Sequence, residues 1–517
     1  MNKSLIQLTS ENENELQGKK IIFVKWMPKY LDEICEEYPN LKDMFFGVLE
    51  DKSAYVNEFE YNNRTLKKYE FDQMEEMPQE AVLLITTAYY KDVFSRLCNK
   101  GVPEWIYDKV FYYVNKDTRY YQYYLNEYKN DNLENIIVFR SGPPLNEYVN
   151  GLDYGDNARA LFEYMINHGY LSKYRLVWFV SNPQRYAEIE NISENIEFLP
   201  YSAAISDEIE IRERYYYILC HAKYIFFTEA NAFCRYHIEG QTRIQLWHGC
   251  GFKGSTVTPT KKPNYEYMPV ISTLYAELHA KYFGLEANQM LVTGYPKEDW
   301  LFHPVDKWRD MLSIPYRKKT IFWLPTFRTT VSQRKKLSEP EIENETGISV
   351  LAYTKDVLIL NELLSLKDTQ LIIKLHPLQD RNKIRISNLS NITLLENDDL
   401  IKNKLEINHI LGDADALISD YSSAATDYLV LNRPIAFAID DEGVFAQRRG
   451  FLFDDLHKWL PGNILAGFDD MYRFVEEIGD GKDTGEMKRL SIRQKLNEFN
   501  DDKGSERLLR TLGIGID

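Results

Sequence analysis

Residues 414–440 read "ADALISDYSSAATDYLVLNRPIAFAID". A short apolar run ends at Asp420, two serines follow, and a helix-like segment leads through Pro434 into a second apolar run. A strand, a helix and another strand in this order are typical of a βαβ unit, which builds a parallel sheet. Short strands alternate with helical segments along the rest of the chain as well, so the sequence predicts an α/β fold.

Three successive blocks of such units divide the 517 residues. Residues 1–134 are predicted to form a small Rossmann-like α/β domain, and residues 135–312 and 313–517 a pair of doubly wound domains. The first strand of the first domain is followed by "KWMPKY" (25–30), where a dinucleotide site would have GxGxxG. We therefore predict that this domain binds no dinucleotide.

The bulk composition excludes several classes of protein. The net charge of −16 argues against nucleic acid as a partner, because phosphate backbones are bound by clustered Lys and Arg. No apolar run approaches the ~18 residues of a membrane helix, and the five cysteines form no CxxC pair. These features predict a cytoplasmic protein without a structural zinc site. A local basic patch would still permit peripheral contact with an anionic membrane.

Three predicted strands of the last domain end on polar groups, and in open α/β sheets ligands bind at this end of the strands. The strands lead to a set of side chains suited to an anion, namely Arg328, His376, Asp420, Ser422 and Ser423. Asp and Ser are favoured at helix starts, whose exposed amides bind phosphate. Together these side chains predict a pyrophosphate pocket without a Gly-rich loop.

Two further polar residues have two interpretations each. Asp427 falls one turn after the serines, and it is placed either to bond a hydroxyl of a bound donor or to lie on a solvated helix face. Lys253 is placed either to contact phosphate or to lie on the surface, and the sequence favours neither interpretation.

A histidine ends another predicted strand in "RIQLWHG" (243–249). His248 would face the cleft at the carboxyl end of its sheet, and Gly249 would leave room for a substrate to approach the backbone. A histidine titrates in the range where a general base is useful. The alternative is a core histidine bonded to a backbone carbonyl.

The sequence also resembles a known family, the CDP-glycerol glycerophosphotransferases, which include teichoic-acid and capsule polymerases and primases. The resemblance spans residues 136 to 515. The matching stretches are "QLWHG" with Lys253, "TGYPKEDWL" (293–301), "LPTFR" (324–328), "KLHP" (374–377), "SDYSSAATDYLVLNRPIAF" (419–437) and "RGFLFDDLHKWLPG" (449–462).

The resemblance implies a GT-B fold with the CDP-activated donor in the last domain and the acceptor on the preceding one. It implies transfer of glycerol phosphate from CDP-glycerol to a hydroxyl of a glycan or polyol-phosphate acceptor, lipid-linked in some members, with release of CMP. It favours His248 as the base and His376 as a second catalytic residue, with Arg328, Asp420, Ser422, Ser423 and Asp427 on the donor. We expect no tightly bound cofactor or metal, and free Mg²⁺ is compatible with the donor pyrophosphate.

Two alternatives remain open. One is an enzyme of the same fold that uses CDP-ribitol or a nucleotide-sugar. The other is a catalytically inactive assembly partner of a polysaccharide complex, which the joint presence of His248, Arg328, His376 and both serines disfavours. The sequence leaves open the polyol, the acceptor, primase versus polymerase action and the oligomeric state.

Overall fold

The structure is a computed structural model, and it describes residues 5–25, 28–50, 59–87, 90–100, 103, 106, 109–141, 153–228, 232–254, 263–326, 344–377 and 379–516. The chain divides into two compact units. One consists of Met1–Asn130 with Ala204–Tyr216, and the other of Asp131–Ala203 with Tyr217–Asp517. Both contain parallel sheets with helices in the connections, which confirms the predicted α/β class.

The first unit is built on one sheet of seven strands. Its strands are β1 (Leu5–Gln7), β2 (Lys20–Val24), β3 (Phe45–Glu50), β4 (Phe59–Tyr61), β5 (Arg64–Glu70), β6 (Ala81–Ile85) and β7 (Val110–Tyr112). The described residues before position 131 also form the helices α1 (Pro28–Glu37), α2 (Tyr90–Asn99) and α3 (Lys116–Glu127). The strand order is β1-β7-β6-β2-β3-β5-β4, and every pair is parallel except β4 with β5.

Both faces of this sheet are covered by apolar side chains. Ile21 and Phe23 of β2 belong to the core on one face, whereas Ile22 and Val24 belong to the core on the other. Successive side chains of a strand point to opposite faces, so a continuous apolar run is what a strand buried on both sides requires.

The tyrosine-rich stretch that ends the first unit packs inside that unit. Tyr121 and Tyr124 of α3 are buried, and the ring of Tyr124 stacks on Tyr216 with a centroid distance of 4.9 Å. The Tyr216 hydroxyl donates to the backbone oxygen of Asp117 over 3.0 Å. Because Tyr216 comes from much later in the chain, the first unit includes a segment that lies beyond its predicted boundary at residue 134.

The second unit contains three sheets. Its strands are β8 (Glu134–Arg140), β9 (Arg175–Val180), β10 (Ile196–Pro200), β11 (Ala222–Phe227), β12 (Thr242–Gln245), β13 (Met268–Val270), β14 (Met290–Val292), β15 (Lys319–Trp323), β16 (Thr369–Lys374), β17 (Ile392–Leu395), β18 (Ala416–Ser419), β19 (Ile435–Ala438) and β20 (Asn463–Leu465). The strand orders are β10-β9-β8-β11-β12, β13-β14 and β17-β16-β15-β18-β19-β20, and all pairs are parallel.

Helices fill the connections of these sheets. They are α4 (Asp156–Asn167), α5 (Ala187–Glu190), α6 (Ile209–His221), α7 (Thr273–Phe283), α8 (Trp308–Met311), α9 (Thr354–Leu366), α10 (Asn397–Lys402), α11 (Asn408–Leu411), α12 (Ala424–Tyr428), α13 (Glu442–Arg448), α14 (Phe468–Gly479), α15 (Glu486–Leu496) and α16 (Gly504–Thr511). Helix α6 begins in the first unit and ends in the second.

The five-stranded and six-stranded sheets of this unit have separate hydrophobic cores. The last helix, α16, contributes Leu508 and Leu509 to the core of the five-stranded sheet, and Ile514 follows them there. The segment assigned by sequence to the end of the third domain therefore packs with the strands of the second.

A close backbone contact at β20 generates a stability prediction. Gly462 precedes β20, and a Cβ added there would lie 2.0 Å from the backbone oxygen of Ile435 on β19. Gly462→Ala should therefore force the two strands apart and lower the free energy of unfolding by about 1–3 kcal/mol, the usual cost of overpacking. Melting temperature measures the effect.

Gly443→Ala is the matched control, because an added Cβ in helix α13 would meet no atom within 4 Å. Alanine has the higher helix propensity, so this variant should be as stable as the parent or more stable by up to about 1 kcal/mol. Equal melting temperatures for the two variants would contradict the packing described at β20.

Candidate active site

His248 stands just beyond β12, at the carboxyl end of the five-stranded sheet. Its Nδ1 lies 2.6 Å from Oδ2 of Asp156, and its side chain is 39% exposed. The preceding residue, Trp247, has a left-handed backbone with φ 54°. The side-chain Nδ2 of Asn157 donates to the backbone oxygen of Trp247 over 2.9 Å and holds this turn. The turn presents the histidine at the sheet edge, where the sequence predicted it.

Asp156, the partner of His248, is the first residue of α4 and has a left-handed backbone with φ 59°. Burial alone would raise the pKa of Asp156. The charge of Lys297 and the hydrogen bond from His248 outweigh burial and hold that pKa below its ordinary value. An ionised carboxylate only accepts hydrogen bonds, so the histidine proton lies on Nδ1, and Nε2 of the neutral ring is the basic nitrogen.

Lys297 lies behind this pair, in the 3₁₀ turn Pro296–Phe302. Its Nζ donates to the backbone oxygen of His248 over 2.5 Å. The same Nζ is 3.1 Å from Oδ2 of Asp427 and 3.5 Å from Oδ1 of Asp156. Burial alone would lower the pKa of Lys297, but these carboxylates outweigh it and raise the pKa, so the lysine is charged.

The loop that carries His248 packs against the start of α12. Gly249 has φ 128°, and a Cβ added there would lie 2.9 Å from both Cβ and Oγ of Ser423. The hydroxyl of Thr426 donates to the backbone oxygen of Cys250. A side chain at position 249 would therefore meet Ser423, so the glycine allows the loop to lie against α12. The approach of a substrate to this backbone stays a prediction.

Asp427 is 3% exposed and faces Lys297. Its Oδ1 has no hydrogen-bond partner among the described residues. Burial raises the pKa of Asp427, and the charge of Lys297 counteracts part of that rise. The interpretation of Asp427 as part of a solvated helix face is wrong, and its use as a donor ligand stays a prediction.

Asp420 joins the carboxyl ends of two neighbouring strands. Its Oδ2 accepts from the backbone N of Thr326 over 2.7 Å, and its Oδ1 accepts from the Thr326 hydroxyl over 2.6 Å. The same Oδ1 accepts from the backbone N of Ser422 over 3.1 Å. Lys253 donates from Nζ to the Thr326 hydroxyl over 3.1 Å, which brings it to this site. Asp420 thus fixes the turn that leads into Ser422 and Ser423.

A small cleft, open to solvent and with a cavity volume of about 20 Å³, lies beside Asp420 at the edge of the six-stranded sheet. Apolar residues form much of its wall, and the polar lining includes Thr326, Ser349, His376, Gln379 and Asp420. Such a mixture of apolar walls and a few polar groups is typical of a small-molecule site. Two predicted residues line this cleft, namely His376, which is half-buried after β16, and Asp420.

The predicted Arg328 lies outside the described residues, whereas the structure brings the other predicted residues to two places. His248, Ser423 and Asp427 lie around Gly249, and His376 and Asp420 line the cleft. Ser422 and Lys253 lie next to Asp420 and Thr326. Sequence reasoning missed Asp156 and Lys297. The signal for Lys297 was available, because it lies in "TGYPKEDWL", a stretch with no role assigned to it.

Cys250, two residues after His248, has no role as a nucleophile. It is fully buried, and burial raises the pKa of its thiol far from the neutral range. The described part of the chain also contains no group of three or more His, Cys, Asp or Glu side chains arranged around a common metal position. No described helix is long and apolar enough to cross a membrane.

Known relatives share this arrangement of elements. A solved structure of the wall teichoic acid polymerase TagF superposes with a TM-score of 0.57 at 22% identity, covering 77% of this chain and 93% of that one. At this identity the likeness establishes the fold alone, and it confirms the predicted GT-B-like arrangement.

Two curated relatives extend the comparison to sequence. The chain is 24% identical over 407 residues to the teichoic acid glycerol-phosphate transferase of Staphylococcus aureus, covering 73% of this chain and 93% of that protein. It is 25% identical over 404 residues to the teichoic acid poly(glycerol phosphate) polymerase of Staphylococcus epidermidis, covering 72% of this chain. It spans only 49% of the length of that polymerase.

The family comparison covers the second unit almost completely. The model of the CDP-glycerol:poly(glycerophosphate) glycerophosphotransferase family matches residues 133–513, from β8 to the end of α16. The match includes His248, Asp156, Lys297, the cleft and the start of α12. This chain therefore belongs to the CDP-glycerol:poly(glycerophosphate) glycerophosphotransferase family.

Proposed function

We propose that the protein transfers glycerol phosphate from CDP-glycerol to a hydroxyl of a polyol-phosphate or glycan acceptor and releases CMP. The observation that carries the proposal is the His248–Asp156 pair, 2.6 Å apart, in a loop that packs directly on Ser423. A basic nitrogen and a hydroxyl-lined helix start are thereby held close together. Family membership supports the donor class.

His248 acts as the general base in this proposal. An acceptor hydroxyl gives its proton to Nε2 of His248 while its oxygen attacks the β-phosphorus of the donor. The bond between that phosphorus and the bridging oxygen breaks, and CMP leaves with the electron pair. Asp156 keeps the proton of the neutral ring on Nδ1 and balances the charge of the imidazolium that forms.

Donor phosphates are held on the other side of the reacting atoms. Negative charge develops on the departing CMP, so hydrogen-bond donors aimed at it lower the barrier. We assign this task to His376 and Arg328, and we assign Ser422 and Ser423 to the phosphate oxygens. We place the nucleotide against the apolar walls of the cleft beside His376.

The acceptor is proposed to bind along the carboxyl edge of the five-stranded sheet. Arg140 ends β8 there, with its guanidinium 4.2 Å from the ring centre of Tyr201 and 4.8 Å from that of Phe233. It forms no ion pair with any described residue. A phosphate of a polyol-phosphate chain would suit this guanidinium. A lipid-linked acceptor would bring the protein to the inner face of the membrane as a peripheral partner.

The donor is identified by the nucleotide released. Purified protein incubated with a panel of CDP-glycerol, CDP-ribitol, UDP-sugars and GDP-sugars should release CMP from a CDP-polyol, with and without added Mg²⁺. Ser422→Ala and Ser423→Ala should each lower turnover about 10- to 150-fold, because a hydrogen bond to a charged group contributes about 1.5–3 kcal/mol. Release of UDP or GDP would redirect the assignment to sugar transfer.

Ser419→Ala is the control for the serine variants. Ser419 ends β18, three residues before Ser422, is fully buried, and its hydroxyl has no hydrogen-bond partner among the described residues. Its removal should leave turnover unchanged. Wild-type turnover in both Ser422→Ala and Ser423→Ala would remove the phosphate site from the proposal.

The two histidines should differ in kind when they are removed. His248→Ala should bind the donor normally and lose about 10²- to 10⁴-fold in kcat, the usual contribution of a general base. His376→Ala should lose both donor affinity and kcat, because His376 lines the cleft. Calorimetry measures donor affinity, and CMP release measures turnover. A folded His248→Ala variant with near wild-type turnover would contradict the assignment of His248 as the general base.

Asp156→Asn tests the counter-charge by its effect on the pH profile. The carboxylate of Asp156 favours the protonated form of His248, so its loss makes protonation harder. The acidic limb of the kcat profile should therefore move to lower pH, together with a fall in the maximal kcat. Asp156 itself remains ionised across the neutral range, because its own pKa is held low. An unshifted acidic limb would show that Asp156 does not act on the titrating base.

A further inference from the structure

We propose that Lys297 is a positioning residue that sets the place of His248 relative to the helix start carrying Ser422 and Ser423. The inference deepens the proposed function and rests on it. Lys297 touches none of the reacting groups in the mechanism above. Its ammonium contacts the backbone oxygen of His248 and the carboxylates of Asp156 and Asp427, which belong to three separate parts of the chain.

The number of contacts matches the number of donors on the lysine. An ammonium carries three N–H donors and no acceptor. The three oxygens around Nζ are the backbone oxygen of His248 at 2.5 Å, Oδ2 of Asp427 at 3.1 Å and Oδ1 of Asp156 at 3.5 Å. The donors of an arginine lie in one plane, so they could not all reach three oxygens that are arranged around a single point.

The backbone of Lys297 is held as firmly as its side chain. Its N–H donates to Oδ1 of Asn157 over 3.2 Å, and its carbonyl accepts from Nδ2 of Asn408 over 3.2 Å. Asn157 also donates to the carbonyl of Trp247, the residue before His248. The backbone of Lys297 is therefore held by α4 on one side and α11 on the other, so the lysine side chain extends from a fixed position.

Burial gives these contacts their strength. The side chain of Lys297 is 12% exposed, and that of Asp427 is 4% exposed. Water therefore screens the attraction little, and each charge depends on its partners. Charge balance alone does not account for the arrangement, because two carboxylates share one ammonium and Oδ1 of Asp427 is left without a hydrogen-bond partner among the described residues. The hydrogen bond from Lys297 to the backbone oxygen of His248 is the contact that positions the loop.

The effect on catalysis follows from how sharply reactivity depends on position. A misplacement of about 1 Å can cost about 10²-fold in rate. Without the ammonium, the left-handed turn at Trp247 loses one of its supports, and Nε2 of His248 would no longer be held at a fixed distance from the donor phosphates. Donor affinity should change little, because Lys297 does not line the cleft beside His376.

The test separates positioning from charge balance with a pair of variants. Lys297→Met leaves the carboxylates of Asp156 and Asp427 without their cation, so both the melting temperature and kcat should fall. Lys297→Met combined with Asp427→Asn removes one of the stranded charges and should recover melting temperature. In this double variant kcat should remain about 100-fold below that of Asp427→Asn alone, which accounts for any role of Asp427 on the donor. Recovery of kcat along with melting temperature would show that Lys297 only balances charge, and would overturn the proposal.

A readout that does not use turnover separates this inference from the proposed function. The rate at which diethyl pyrocarbonate modifies His248, followed peptide by peptide, should rise several-fold in the double variant because the loop is released. The exposed His303, which pairs with Asp502, is the internal reference and should react as before. An unchanged rate at His248 would overturn the inference even if the enzyme is active. If the wild-type protein releases no CMP but the modification rate at His248 still rises in the double variant, the inference stands and the transferase assignment is removed.

Lys319→Met is the matched lysine variant. Lys319 pairs with Asp415 over 2.8 Å at the opposite end of the six-stranded sheet from the cleft. Its loss removes a lysine–carboxylate pair of the same kind in the same unit, so His248 modification and kcat should both stay at wild-type values. A comparable change in Lys319→Met would mean that general loosening of the fold, and not the Lys297 contact, sets the reactivity of His248.

Discussion

The ammonium of Lys297 is the point on which the geometry of this site depends. It is largely shielded from water, and it neutralises part of the charge of Asp156 and Asp427. Asp156 lies in a connection of the five-stranded sheet, and Asp427 lies in a connection of the six-stranded sheet. A buried charge without a partner is costly, so these groups stay together whenever the unit is folded. Two non-glycine residues beside it, Asp156 and Trp247, keep left-handed backbones. Such strain persists only where surrounding contacts over-determine the conformation, as they do here.

Much of the fold could be predicted from sequence because parallel strands impose a simple rule. Their carboxyl ends meet at one edge, so a polar residue after an apolar run marks that edge. His248, His376 and Asp420 were found in this way, and each follows a strand. Asp156 begins a helix, and Lys297 lies in a 3₁₀ turn, so neither carries this mark. Asp156 and His248 are 92 residues apart, and nothing local to either stretch predicts that they meet.

Some predicted site positions also make contacts of the protein with itself. Gly249 allows its loop to approach Ser423, and the carboxylate of Asp420 accepts hydrogen bonds from Thr326 and from the backbone of Ser422. The sequence located both constrained positions, but the pattern of residue types did not reveal which protein atoms would lie beside them. Close packing between segments distant in sequence decides that question.

The position of α16 has a consequence for the order in which the protein folds during synthesis. Leu508, Leu509 and Ile514 complete the core around strands that begin at β8. Translation proceeds at about 5–20 residues per second. The apolar side chains of those strands therefore remain incompletely covered while the residues of the whole six-stranded sheet are synthesised. The first unit waits in the same way for the segment that contains Tyr216. A nascent chain of this protein therefore exposes apolar side chains of these strands for tens of seconds before residue 514 is available to cover them.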